Sequence, residues 1–219
     1  MGVAENIALI RETVGSYPVK LIAVTKEAES VQIEEAFRNG VTEFGESRVQ
    51  DAIAHMDALS PKIQAASNWH FIGHLQTNKA KLAVGRFALI HSVDSLRLAK
   101  EISKQAEQKG FVQPILLQVK ILPDPSKGGF TKEELQRDFP SLMSLPNIEC
   151  RGLMTITPLS ASDRQKRQCF EGLAKFKDEL SQTFGVPLKE LSMGMSDDWR
   201  EAVQCGATMI RIGRAIFKQ

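Results

Sequence analysis

The chain has 219 residues and a mass of 24.3 kDa, a length that suits one large domain or two small ones. Hydrophobic residues make up 42% and charged residues 25%, which is typical of a globular protein that buries a core without disulfide or metal staples. The net charge of +2 and the lack of a basic stripe interleaved with aromatic residues argue against nucleic acid as a partner. No run of about 18 apolar residues occurs, so the sequence predicts no membrane span and no membrane partner.

Short apolar runs alternate with longer helical patterns, beginning with an amphipathic helix at residues 1–15 that lacks the features of a signal peptide. We predict strands at residues 19–25, 42–46, 69–73, 87–93, 114–120, 148–156, 189–194 and 208–213. The later helical patterns cover residues 30–39, a stretch that ends near Leu59, and residues 77–84, 94–108, 131–139, 166–184 and 197–206. Ser30, Asp94 and Thr131 are the predicted N-caps of three of these helices.

This alternation predicts a parallel sheet, because parallel neighbours need crossover helices. Eight such units in 219 residues match a single α/β domain over 1–219, a closed (β/α)₈ or TIM barrel with an extra N-terminal helix. A doubly wound open sheet is the alternative. That fold usually begins with a strand and often carries a GxGxxG turn, which this sequence lacks. The Pro/Gly-rich stretch at 122–130 is interpreted as a loop inside one unit.

Cysteine and histidine spacing predicts no metal site. Cys150, Cys169 and Cys205 are far apart and form no CxxC pair, so neither a disulfide framework nor a zinc site is indicated and a reduced, cytoplasmic setting fits best.

The four histidines do not form a ligand set. His70 and His91 lie within predicted strands and are interpreted as hydrogen-bonded core residues, and His55 as a helix-surface residue. Only His74, directly after the third strand, is placed for function.

The loops after the seventh and eighth strands predict an anion site, since these loops are the habitual phosphate site of a barrel. They contain Ser192, Gly194, Ser196 and Gly213, and the helix predicted at 197–204 begins directly behind Ser196. Small residues let backbone N–H groups approach an anion, and a helix N-terminus adds a favourable dipole. Ordinary turn chemistry is the alternative for each residue taken alone.

Lys26 ends the apolar run of the first strand, on the face where barrel enzymes bind ligands. A lysine there either marks the return of the chain to solvent or provides an amine for a Schiff base with a carbonyl compound or pyridoxal phosphate. Partial burial would lower the pKa of such an amine and favour the neutral nucleophile. Arg211, pointing inward from the eighth strand, could face a cofactor ring nitrogen or a phosphate, or form a structural ion pair.

Several segments together resemble the pyridoxal-phosphate homeostasis protein family, and in particular a cyanobacterial member. The segments are LIAVTK, FGE, WHFIGHLQTNKAK, GLMTI, SMGMSDDW and RIGRAIF. Their order and spacing match over nearly the whole chain, and HFIGxLQxNK is the most specific of them. The resemblance implies a barrel similar to the alanine racemase N-terminal domain, with pyridoxal 5'-phosphate (PLP) bound as a Schiff base on Lys26.

The resemblance also implies the remaining cofactor-binding residues. These are Ser196, Gly213 and Arg214 around the phosphate, Ser192, Met195 and Arg211 lining the site, and Met154 and His74 nearby. One departure concerns FGE, which the family usually follows with Asn-Tyr, whereas Ser47 and Arg48 stand here. The sequence therefore does not decide whether Ser47 makes the contact expected from that Asn.

The resemblance implies a protein of PLP (vitamin B6) and amino-acid homeostasis with no catalytic residues and no robust activity, acting as a monomer with PLP-dependent apoenzymes as possible recipients. Racemases of this type carry a second, β-rich domain that we do not expect here, and abstraction of a Cα proton needs an acid or base on each face of the cofactor. The only tyrosine, Tyr17, precedes the first strand and is expected at the opposite end of the barrel. The alternatives are a small PLP-dependent racemase-like enzyme and a cofactor-free Schiff-base aldolase.

Overall fold

Eight parallel strands close into a barrel in chain order, with the last strand paired to the first. The computed structural model describes residues 2–124 and 126–218. The strands are β1 (Lys20–Val24), β2 (Glu43–Glu46), β3 (Asn68–Phe71), β4 (Leu89–Val93), β5 (Gln113–Gln118), β6 (Ile148–Met154), β7 (Glu190–Ser192) and β8 (Met209–Ile212). The predicted (β/α)₈ barrel is confirmed, and the open-sheet alternative is wrong.

Helices surround this barrel, and one precedes its first strand as predicted. They are α1 (Val3–Val14), α2 (Ser30–Arg38), α3 (Val49–Ala58), α4 (Pro61–Ala66), α5 (Ala80–Ala83), α6 (Leu96–Gln108), α7 (Lys132–Met143), α8 (Asp163–Phe184), α9 (Trp199–Gln204) and α10 (Arg214–Phe217), with a 3₁₀ turn at Thr77–Lys79. Among the described residues, no helix combines the length and apolar character needed to cross a bilayer.

Two features of the helices differ from the prediction at proline residues. Helix α3 ends at Ala58, next to the predicted end at Leu59, but Pro61 then starts the separate helix α4, which was not predicted; proline fits the first turn of a helix. Helix α7 was expected to end before Pro140 and instead continues to Met143. The predicted cap of α7 is confirmed, since the Thr131 hydroxyl accepts an N–H from the first turn.

Two predicted caps are wrong by one residue. Glu29 occupies the N-cap position of α2, and Ser30 is the first helical residue. At α6 the cap is Ser95 and not Asp94, because the Ser95 hydroxyl accepts the N–H of Leu98 at 3.3 Å. Side-chain reach decides between neighbouring cap candidates, and the local sequence does not show it.

The barrel interior is packed and leaves no pore. Ile22, Leu89, Leu116, Met154 and Met209 form a small apolar cluster inside the barrel. A larger apolar core lies between the strands and the surrounding helices. Since side chains alternate between the two sides of each strand, a ligand can bind only at an end of this barrel.

Buried thiols belong to this packing. All three cysteines are free, and burial raises the pKa of Cys150 to about 12 and that of Cys169 to about 11. Both side chains therefore stay protonated near neutral pH and behave as small apolar groups.

Strands β6 and β7 approach each other so closely at Gly152 that no side chain fits there. A Cβ atom at this position would lie 1.9 Å from the backbone oxygen of Glu190, the residue with which Gly152 is in register. The obstacle is backbone, so one of the two strands would have to move.

We expect Gly152→Ala to lower the free energy of unfolding by about 3 kcal/mol or more, or to prevent folding. Gly172→Ala is the matched control, because a Cβ there meets no backbone and only one side-chain atom, the Cγ2 methyl of Ile121 at 2.9 Å, and alanine is favoured inside α8. Urea unfolding of both variants measures the difference. Equal stability of the two variants would contradict this account of the β6–β7 contact.

Candidate functional site

A cleft of about 660 Å³ opens at the carboxyl ends of the strands. Its walls come from the segments that follow β1, β2, β3, β5, β6, β7 and β8. Eight of the predicted site residues line it, namely Lys26, Ser47, His74, Met195, Ser196, Arg211, Gly213 and Arg214. The other two, Met154 and Ser192, are fully buried beneath its floor.

Lys26 lies on the wall of this cleft, two residues beyond the end of β1. Its side chain is 52% exposed, and its Nζ is 3.7 Å from Oε1 of Glu27. A hydrogen bond from Lys218, at 2.8 Å, together with the charge of that lysine, holds the pKa of Glu27 below its usual value. About half of the Lys26 side chain is therefore open to solvent, next to an ionised carboxylate.

The backbone that carries Lys26 is anchored by a buried polar cluster. Thr25 is fully buried and donates its hydroxyl to Oε1 of Glu46 at 2.6 Å. The same carboxylate contacts Nδ1 of His55 at 2.8 Å and accepts the N–H of Ser47 at 3.1 Å. His55 is therefore half-buried against Glu46, and its interpretation as a helix-surface residue is wrong. The cluster ties the ends of β1 and β2 to α3 and so fixes the position of Lys26.

Asp198 shapes the loop after β7. Its buried carboxylate accepts the N–H of Met195 at 2.6 Å and the hydroxyl of Thr157 at 2.5 Å. The N–H groups of Asp198 and Trp199 in turn donate to the carbonyl oxygen of Met195. These two amides at the start of α9 are thus used within the loop, and the anion site expected at this helix start stays a prediction.

The turn between β8 and α10 faces that loop across the cleft. At Gly213 a Cβ atom would lie 3.1 Å from the carbonyl oxygen at the end of β1, so the turn passes close over that strand. Ser196 accepts the N–H of Ala215 at 3.3 Å, and Arg214 forms an exposed ion pair with Asp197. Ser196, Gly213 and Arg214 are therefore neighbours.

Arg211 forms part of the cleft floor and is only 3% exposed. It donates to the Ser192 hydroxyl at 2.6 Å and to the Thr155 carbonyl at 2.9 Å. Burial lowers the pKa of Arg211 to about 10, so it stays a cation at neutral pH. Within residues 2–124 and 126–218 it forms no ion pair and makes no other hydrogen bond from its side chain. Three of its five guanidinium N–H donors remain for a ligand.

His74 and Ser47 lie on the rim of the cleft. His74 is 68% exposed, and its Nδ1 is 3.2 Å from Oδ2 of Asp94. The loops after β2 and β3 touch because Gly73 has no side chain, since a Cβ there would lie 2.1 Å from the backbone oxygen of Ser47. Two further lining residues, Lys127 and Lys166, were not predicted, because isolated lysines in loops and helices carry no signal of a shared cleft.

Below the floor, His70 and His91 are buried and hydrogen-bonded to each other at 2.9 Å, which confirms their interpretation as core histidines. Over the described part of the chain, no group of His, Cys, Asp and Glu side chains is arranged to hold a metal ion.

The chain is similar to known proteins over nearly its whole length. Residues 2–219 match the family model described as alanine racemase, N-terminal domain. The pyridoxal phosphate homeostasis protein of Synechocystis sp. is 44% identical over 199 residues, which cover 91% of this chain and 90% of that protein. Structures of PipY from Synechococcus elongatus, without PLP and with PLP bound, superpose with a TM-score of 0.92 at 42% and 41% identity, covering 98% of this chain and 99% of PipY. Alanine racemase from Corynebacterium glutamicum shares the fold, with a TM-score of 0.74 at 19% identity over 98% of this chain and 59% of the racemase.

We expect Asp198→Ala to lower the free energy of unfolding by roughly 2 to 4 kcal/mol, because it removes two hydrogen bonds to a buried carboxylate and leaves their donors unpaired. Asp197→Ala removes only the exposed ion pair with Arg214 and should cost less than about 1 kcal/mol. Urea unfolding compares these adjacent aspartates. A larger loss from Asp197→Ala would contradict the anchoring role of Asp198.

Proposed function

Because this chain belongs to the pyridoxal phosphate homeostasis protein family, we propose that it binds pyridoxal 5'-phosphate in the cleft and serves PLP (vitamin B6) and amino-acid homeostasis. One observation carries the proposal: a lysine amine, an arginine cation with unused donors, and a Ser-Gly-Arg turn open onto the same cleft. The similarity to PipY, whose structure is described with PLP bound, supports it.

We assign the covalent link to Lys26. Its Nζ adds to the aldehyde carbon of PLP, a C=N bond forms, and the aldehyde oxygen leaves as water. The amine is exposed on the cleft wall, so PLP reaches it without an opening step. The buried cluster of Thr25, Glu46 and His55 keeps the lysine backbone in place while its side chain stays free to move.

We assign the phosphate to Ser196, Gly213 and Arg214. The Ser196 hydroxyl accepts an N–H from the α10 turn, which leaves its own proton to donate. The close passage of Gly213 over β1 keeps this corner free of side-chain atoms, so that backbone can approach an anion. Arg214 supplies an exposed positive charge. Met195 lines the adjacent wall as an apolar contact.

We assign the cofactor ring nitrogen to Arg211. A permanent cation that donates to this nitrogen keeps it unprotonated, which weakens the cofactor as an electron sink and disfavours Cα chemistry. Ser192 acts on the cofactor through Arg211, and Met154 supports the floor from the interior cluster. His74 and Ser47 complete the rim.

The proposed role is that of a carrier without robust catalytic activity. Tyr17, the single tyrosine of the chain, lines a hollow at the opposite end of the barrel together with Lys20 and Glu43, so no phenol reaches the cleft. The exposed amine and wide cleft favour exchange of the cofactor over reactions that need water excluded. We infer further that the chain acts as a cytoplasmic monomer that passes PLP to PLP-dependent apoenzymes, and its free thiols agree with a reducing compartment.

We expect the purified protein to be yellow with PLP and to carry a borohydride-stable phosphopyridoxyl group on Lys26. Lys26→Ala should lose both the colour and the adduct, because no other amine is positioned at the end of β1. Lys127→Ala and Lys166→Ala are matched controls, since both lysines line the same cleft. Absorbance and peptide mass mapping give the result. A colourless, unlabelled wild-type protein in excess PLP would overturn the cofactor assignment and favour a cofactor-free Schiff-base aldolase.

We expect the PLP-loaded protein to racemise L-alanine in deuterated buffer no faster than an equal concentration of free PLP, because the cleft lacks a tyrosine base and Arg211 opposes ring protonation. Chiral chromatography and deuterium incorporation measure the rate. Racemisation well above that of free PLP, and lost in Lys26→Ala, would instead establish the racemase-like alternative.

A further inference from the structure

A chain of hydrogen-bonded side chains crosses the barrel interior beneath the cleft. It runs from Arg211 through Ser192, His91 and His70 to Glu43. The successive distances are 2.6 Å from Arg211 Nη1 to Ser192 Oγ, 2.8 Å to His91 Nδ1, 2.9 Å between His91 Nε2 and His70 Nδ1, and 2.6 Å from His70 Nε2 to Glu43 Oε2. Glu43 is the first residue of β2 and borders the hollow at the far end of the barrel, so the chain connects the two ends.

This chain occupies space that a barrel ordinarily fills with apolar side chains. It lies beside the interior cluster around Ile22 and Met154, and its members are almost completely buried apart from Glu43. A polar network in such a place is tolerated only when its members are all hydrogen-bonded. These side chains meet that requirement by bonding to one another from one end of the barrel to the other.

The charge states of two members constrain the direction of the chain. Burial, with the nearby His70 and Arg211, lowers the pKa of His91 well below its ordinary value, so His91 is neutral and carries one N–H. Burial alone would raise the pKa of Glu43, but hydrogen bonds from His70 and Asn68 outweigh it and the net pKa is lowered. Glu43 is therefore an acceptor at neutral pH.

When His70 is neutral, only one placement of the protons on His70, His91 and Ser192 satisfies every hydrogen bond of the chain. His70 donates its Nε2–H to Glu43, so its Nδ1 accepts the Nε2–H of His91. Nδ1 of His91 then accepts the hydroxyl proton of Ser192, and the Ser192 lone pairs accept from Arg211. A doubly protonated His70 would reverse both bonds around His91 and place the His91 proton on Nδ1.

We propose that Glu43, His70, His91 and Ser192 are positioning residues that hold Arg211 in one orientation toward the cleft, with both imidazoles as Nε2–H tautomers. The inference rests on the proposed function, in which Arg211 contacts the PLP ring. Ser192 and the Thr155 carbonyl are uncharged acceptors, so they orient the guanidinium without neutralising it. The Asp198 carboxylate acts on Arg211 through its charge without a hydrogen bond, and the carboxylate that is hydrogen-bonded to the chain, Glu43, lies at its far end.

The tautomers of the wild-type protein give the first test and need neither a variant nor PLP. Nitrogen-15 NMR of the imidazole rings at about pH 8 should show both buried histidines with the proton on Nε2. A proton on Nδ1 of His91, or a doubly protonated His70, would overturn the proposal whatever the protein does with PLP.

The second test compares Glu43→Gln with Glu190→Gln. Glu190 is the first residue of β7, at the same end of the barrel, and accepts the Thr208 hydroxyl at 2.5 Å outside the chain. Both variants remove one negative charge from the same end, so direct electrostatic effects on the cleft are similar. We expect Glu43→Gln to lose the uniform Nε2–H pattern and about tenfold in PLP affinity by fluorescence titration, equivalent to about 1.4 kcal/mol. Glu190→Gln should behave as wild type.

The outcomes separate the two proposals. If PLP labels Lys26 of the wild-type protein but the two glutamate variants have the same tautomers and the same PLP affinity, the proposed positioning role is wrong and the proposed function stands. If the wild-type protein binds no PLP, the proposed function is wrong. Its imidazole tautomers would still test the proposed proton arrangement of the hydrogen-bonded side chains. If Glu43→Gln fails to fold, the wild-type tautomers again give the answer.

Discussion

Pairing between β1 and β8 is the constraint on which the candidate site depends. Ile22 is in register with Arg211 and Ala23 with Ile212, so the first and last strands of the chain are neighbours. This closure puts Lys26 beside Gly213 and Arg214 at one end of the barrel. In an open sheet the same residues would lie on opposite edges. Because all strands are parallel, closure also gathers the loops after β7 and β2 around the same cleft.

Buried acidic residues hold the functional groups indirectly. Glu46 anchors the backbone next to Lys26, Asp198 anchors the loop of Met195, and Glu43 ends the chain that reaches Arg211. A buried carboxylate is stable only when hydrogen bonds and positive charge replace its hydration. Each of these acids accepts hydrogen bonds from its neighbours: Glu46 from Thr25 and Ser47, Asp198 from Met195 and Thr157, and Glu43 from Asn68 and His70.

The balance between burial and exposure separates the two cations of the site. Arg211 is buried, hydrogen-bonded and charged, whereas about half of the Lys26 side chain is exposed on an anchored backbone. Such a pair suits a ligand that Arg211 holds in one orientation and that forms and breaks its covalent bond at Lys26. Racemisation would require a dry site and a second base in place. The proposed carrier role therefore follows from how the site distributes rigidity as much as from which residues it contains.

The sequence by itself determined the barrel, the extra helix α1 and the cleft-facing positions of Lys26, Ser196 and Gly213, because strand and helix periodicity are local properties and parallel closure places all strand ends on one face. The caps of α2 and α6 differ by one residue because neighbouring residues compete for the same position, and the separate helix at Pro61 was not predicted. Only the tertiary structure decided the exposure of Lys26, the contact of His55 with Glu46 and the polar chain beneath Arg211. Successive members of that chain are separated by 19 to 101 positions and lie on different strands, and the partner of a buried polar group depends on which strands face each other across the barrel.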